Sequence, residues 1–145
     1  MTHADAGRYS AKHPPDGKID EKIAAAVREK TADGKIPCAD AERIGAELGA
    51  GLEEVGRTID LLEVRISRCQ LGLFGYDTAG GRVVRPAERV EPGLETAVRS
   101  RLAGGRLPCA AAWEIAAETG IPRMEVSGAC ETLKIKIKPC QLGAF

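Results

Sequence analysis

Lys35-Ile36-Pro37-Cys38-Ala39 and Arg106-Leu107-Pro108-Cys109-Ala110 are one motif met twice, and reading them together decides the fold. Shifted by about 71 residues, the chain lies on itself without a gap, Asp20–Phe74 onto Glu91–Phe145. Roughly 22 of about 55 paired positions are identical, far beyond chance for unrelated segments. The strongest shared string closes each repeat: Cys69-Gln70-Leu71-Gly72-Leu73-Phe74 against Cys140-Gln141-Leu142-Gly143-Ala144-Phe145. The chain reads as one small unit written twice. A unit of that size has a thin core and gains from a twin to pack against.

Around each motif the apolar spacing is helical. Asp20 is placed to cap a first helix carrying Ile23, Ala26 and Val27, and Asp33-Gly34 stops it. Lys35-Ile36 is a short strand. Pro37 bars helix before it, and Cys38 sits at the start of a second helix with Ala41 and Ile44, ended by Gly49. Val55, Ile59 and Leu62 are the stripe of a third helix. Val64–Cys69 then alternates like a strand, Tyr76–Gly81 reads as a turn, and Arg82-Val83-Val84-Arg85 reads as a returning strand. The second repeat follows suit with Leu94, Val98 and Leu102, then Ile115 and Ala116, then Val126, Cys130 and Leu133, and an alternating stretch Leu133–Lys138. It has no returning strand.

The totals bound the function. With 43% hydrophobic and 29% charged residues the composition is that of a folded protein, and the formal net charge is zero. No apolar run approaches a membrane span and no apolar leader core opens the chain, so no membrane role and a cytoplasmic location are the expectation. Five cysteines, an odd number, suit a reducing compartment. Met1–Lys18 reads as a disordered arm, and it holds both histidines, His3 and His13. With no histidine elsewhere, no phosphate-binding loop and no convergent carboxylate pair, the sequence argues against an enzyme and offers no catalytic residue.

The order helix, strand, helix, tight turn, helix, hairpin resembles the winged-helix family of helix-turn-helix domains. Ile36–Gly49 is similar to that family's strand and second helix, and Glu54–Glu63 to its third helix; Leu107–Gly120 and Glu125–Lys134 match the same two stretches. The resemblance implies a mainly α fold with a small β component (α+β): two tandem winged-helix units related by internal duplication, residues 19–90 and 91–145, the second with a truncated wing. It also implies a DNA-binding transcription regulator, or a protein–protein adaptor built from the same units.

In such a fold the third helix would enter the major groove. Its expected outer face in the first unit, Glu53, Glu54, Gly56, Arg57, Asp60 and Leu61, is acidic, which opposes phosphate contact. The matching face of the second unit is Arg123, Met124, Ser127, Gly128 and Glu131, where Met124 invites an apolar partner. The strand region is basic instead. Arg57, Arg65, Arg68, Arg82, Arg85, Arg123, Lys136 and Lys138 are the candidate nucleic-acid contacts, with Lys134 beside them. A solvated charged face is the plainer alternative.

Cys38, Cys69, Cys109 and Cys140 recur at equivalent places. Three readings stay open: small buried hydrophobes, a thiol- or metal-responsive site holding zinc or an iron–sulfur cluster on the four thiolates, or redox pairs. The first needs no cofactor. Cys130 stands where the first repeat has Ile59, and reads as core. DNA, a protein partner or a second copy in a homodimer are the partners left open.

Overall fold

The computed structural model describes residues 19–145. The arm Met1–Lys18 lies outside the described residues. The described chain is mainly helical with one small sheet, an α+β arrangement in two compact units.

In the first unit, α1 (Glu21–Lys30) starts at Asp20, whose carboxylate accepts from the backbone N–H of Lys22 at 2.9 Å and of Ile23 at 3.2 Å. Ile23, Ala24 and Val27 form its buried face. The strand β1 (Lys35–Pro37) comes next, then α2 (Cys38–Leu48). Cys38 is the first helical residue and Pro37 takes the cap position. Gly49 ends α2 at φ 65, a left-handed turn that glycine makes without steric cost. The third helix, α3 (Leu52–Leu61), buries Val55 and Ile59 completely. The strand β2 (Arg65–Ser67) pairs with β1 in parallel, Lys35 opposite Arg65, Ile36 opposite Ile66 and Pro37 opposite Ser67. Ile36 and Ile66 face the core together, at 0% and 2% exposure, while Lys35 and Arg65 point to solvent.

The second unit holds α4 (Pro92–Arg99), α5 (Cys109–Thr119) and α6 (Arg123–Leu133). Leu107 and Ile137 make a parallel bridge at the place Ile36 and Ile66 occupy in the first unit. An antiparallel bridge of Ala103 with Arg106 likewise answers Ala32 with Lys35. Left-handed backbone recurs at matching positions as well: Gly49 and Gly120, Glu63 and Lys134, Gly72 and Gly143. The strand expected over Leu133–Lys138 shrinks to that single bridge, because Leu133 stays helical and Lys134 turns at φ 58.

The expected returning strand is absent. Arg82–Arg85 is not a strand, so the described residues contain no wing hairpin. The predicted turn over Tyr76–Gly81 does form, closed by a 3.1 Å bond from the Tyr76 N–H to the Gly81 carbonyl. Beyond it the chain meets no strand edge. The Val83 and Val84 N–H groups donate to the Gly72 carbonyl at 3.0 and 3.1 Å, and the Ala87 N–H donates to Gly128 of α6 at 3.0 Å. Backbone groups satisfied in this way have no need of a ladder.

Two compact units divide the described chain. The first contains the described residues up to Cys69 together with Gln141–Phe145, and the second is Gln70–Cys140. Each Cys-Gln-Leu-Gly string is cut after its cysteine, and its Gln-Leu-Gly portion belongs with the third helix of the other repeat. No helix among the described residues is long and apolar enough to cross a membrane.

Candidate functional site

The third helices come first, because a helix-turn-helix protein would read DNA with them. Val55 and Ile59 anchor α3 inward, which turns Gly56 and Asp60 toward the face expected to be open. Both are buried, Asp60 at 2% exposure. The cover is Gln141–Phe145: a Cβ added at Gly56 would lie 2.0 Å from the Leu142 carbonyl oxygen, so the two backbones touch. Leu142 and Ala144 are buried with it, at 3% and 0%. Only Glu53 and Glu54 of that face are exposed; Arg57 and Leu61 are half-buried.

The second unit closes α6 in its own way. Ser127 and Gly128, expected on the outer face, are buried. A Cβ at Gly128 would meet the Arg85 carbonyl oxygen at 2.7 Å, and the Thr132 hydroxyl donates to the Ala87 carbonyl at 2.5 Å. Met124 lies over Gly72, its sulfur 3.2 Å from where a Cβ would stand, and keeps 36% exposure. Arg123 is committed twice. Its guanidinium stacks on the Trp113 ring at 3.7 Å and donates to Gln70 Oε1 at 2.9 Å. Arg82 forms an ion pair with Glu131. Neither arginine is a loose cation.

The basic residues of the strands behave differently. Arg65 and Arg68 are exposed at and just after β2, and Lys136 and Lys138 are exposed on either side of buried Ile137. The Leu107 N–H donates to the Lys136 carbonyl at 2.9 Å and the Lys138 N–H to the Leu107 carbonyl at 2.8 Å. Parallel pairing therefore holds both lysine backbones and sends their side chains outward. Arg85 is exposed too. Sequence reasoning missed Lys35 and Arg106. Each stands two residues before a proline-cysteine and is exposed, Lys35 in β1 and Arg106 just before the Leu107 bridge. Their signal was present in the repeat, but only the parallel register reveals that Lys35 neighbours Arg65. No salt bridge among the described residues holds Lys35, Arg65, Arg68, Arg106, Lys136 or Lys138.

The four repeated cysteines divide between the units, Cys38 and Cys69 in the first and Cys109 and Cys140 in the second. None is in a disulfide. Cys38, Cys69 and Cys109 are buried at 7%, 6% and 5%, and Cys140 is half-buried. Among the described residues no group of three or more histidine, cysteine or carboxylate side chains is gathered as a metal would need. Cys130 is core, at 1% exposure; burial, with Glu131 beside it, pushes its thiol from 9.0 to about 11.

Compared with known proteins, the chain matches no family model, no curated protein and no solved structure.

Proposed function

We propose that this chain is a non-enzymatic regulatory protein of two tandem helix-turn-helix units of the winged-helix type, related by internal duplication, and that it contacts duplex DNA through its basic strand ends. The observation that carries the reading is the set of outward cations along the paired strands of one unit and the bridged segments of the other. Lys35, Arg65 and Arg68 mark one unit, and Arg106, Lys136 and Lys138 the other, with no salt bridge holding them among the described residues. Cations that are exposed and uncommitted can neutralise phosphates and release the counterions condensed on DNA, a gain that dominates non-specific affinity.

The covered faces of α3 and α6 argue against major-groove reading by either helix. Contact is thus to the phosphate backbone, with sequence preference supplied by DNA shape rather than by base edges.

Fluorescence anisotropy of a mixed-sequence duplex, titrated with reduced protein at low and then raised salt, tests this. The expected outcome is micromolar binding whose logarithm falls linearly with the logarithm of salt. In the Lys136→Glu/Lys138→Glu variant the slope should shrink by about 2, since each lost phosphate contact removes about 0.9. Absence of binding even at low salt would sink the proposal. It would favour the adaptor reading, for which the exposed apolar side chains Leu48 and Met124 are the foothold.

A further inference from the structure

We infer that each unit carries a reversible dithiol–disulfide site, Cys38 with Cys69 and Cys109 with Cys140, whose co-substrate is a small-molecule disulfide. The backbone places both pairs. In the second unit the Cys109 N–H donates to the Pro139 carbonyl at 3.0 Å, and Pro139 is bonded directly to Cys140. In the first, β1 and β2 end their register at Pro37 opposite Ser67, so Cys38 follows one strand end directly and Cys69 follows the other after Arg68. Neighbouring strands run about 5 Å apart, so Cys38 and Cys69 leave adjoining strand ends.

Chemistry adds to placement. Cys38 and Cys109 are the first residues of eleven-residue helices, where the helix dipole favours a thiolate. Core packing alone does not call for sulfur at such places. At the position of Ile59 and Cys130 the two repeats exchange hydrocarbon for thiol inside the core, yet both members of each pair are cysteine in both repeats. The second member of each pair is also where the chain leaves its compact unit, after Cys69 and after Cys140. A disulfide there ties the exit of the strand to the start of the second helix, next to Arg68 in one unit and Lys138 in the other.

The exchange balances. Cys140, the most accessible of the four, attacks one sulfur of the small disulfide as its thiolate; that S–S bond breaks and one small thiol leaves with a proton from solvent. Cys109 gives its proton to solvent and attacks the Cys140 sulfur. The protein S–S bond forms and the second small thiol leaves. Two protein thiols are oxidised and one small disulfide is reduced to two thiols.

Reduced full-length protein would be incubated, folded, with glutathione disulfide, its remaining thiols alkylated, and the digest mapped by mass spectrometry without reduction. We expect four of the five thiols to be lost, joined peptides pairing Cys109 with Cys140 first and Cys38 with Cys69 later, and dithiothreitol to restore all of them. The Cys140→Ser variant should lose the Cys109 link and keep the Cys38–Cys69 link. Five alkylatable thiols after exposure, unresolved glutathione adducts, or joined peptides of any other pairing would overturn the inference. None of these readouts involves DNA, so this inference and the proposed function can fail separately.

Discussion

The two third helices present one face and have it closed by different means. A five-residue segment, Gln141–Phe145, covers α3, and its backbone rests on Gly56. The cover of α6 comes from the much longer stretch after Gln70, with the closest approach at Gly128, one position further along the helix. Where α3 has Gly56, the repeat has Ser127, buried and with its hydroxyl unbonded among the described residues. A buried hydroxyl without a partner costs free energy. The same helix can therefore be closed either by backbone contact at a glycine or by a broader cover one residue on, and the first solution depends on the absence of a single side chain.

The largest effect should come from breaking that dependence. In Gly56→Ala the new methyl meets backbone 2.0 Å away, and a backbone cannot swing aside as a flexible side chain would. The tail must leave, exposing Leu142 and Ala144, at a cost of about 4 kcal/mol by chemical denaturation. Gly128→Ala, with 2.7 Å to the Arg85 carbonyl, should cost less, about 2 kcal/mol, because that connecting stretch can shift. Equal costs for the two would mean that both covers are held alike and that the glycine contact on α3 is no tighter than its counterpart on α6.

Leu71 and Leu142 sharpen the same point. They are equivalent residues of the repeated string, buried at 0% and 3%. Each truncation to Ala should cost about 3 kcal/mol. If Leu142→Ala costs less than about 1 kcal/mol while Leu71→Ala keeps its value, the cover on α3 is loosely held and that helix is open to a groove after all.

Local rules account for the elements that were legible in the sequence. Pro37, Gly49, Pro108 and Gly120 punctuate the helices because proline and glycine restrict or free φ whatever their surroundings. Val55, Ile59, Val98 and Val126 could be placed in the core from their spacing alone. Pairing was not legible. Alternation over Val64–Cys69 marks a strand but names no partner, and the partner proved to be β1 in parallel. Val83-Val84 has strand propensity, yet the carbonyl of Gly72 satisfied its N–H groups first. Gln70-Leu71-Gly72 and Gln141-Leu142-Gly143 are identical, so nothing local says which helix each covers. For the site, the outward lysines were readable from alternation, whereas the ties of Arg82 to Glu131 and of Arg123 to Trp113 are tertiary.

Cys130 and Ile59 offer a comparison in the core itself. The Cys130 thiol is raised to about 11 against an ordinary 9.0, first by burial and then by Glu131. The folded chain therefore holds the proton more tightly than the unfolded one. The stability this gives is fully present below pH 9 and is lost as pH rises through about 11. Wild type and Cys130→Ala, compared by denaturation at pH 8, 9, 10 and 11, should converge by about 2 kcal/mol over that range. A constant difference would place the thiol in a more open setting than its 1% exposure implies.

The smallest effect belongs to a contact that one unit has and the other lacks. Arg123 stacks on Trp113 and bonds Gln70; at the equivalent places the first repeat has Leu52, Glu42 and Gln141. Leu52 has no charge to offer an aromatic face and Glu42 has no ring, so the first unit cannot make the pair. Both partners in the second unit are half-buried, so solvent weakens the attraction without removing it. Arg123→Ala should cost about 1 kcal/mol, and Arg123→Lys less, since an ammonium keeps the charge over the ring but loses the flat stacking. Trp113 is the sole tryptophan, so the indole emission of the chain comes from this side chain. Removing the guanidinium should change that emission in the folded state and leave the unfolded spectrum untouched. An unchanged folded spectrum would mean that the stack is not populated in solution.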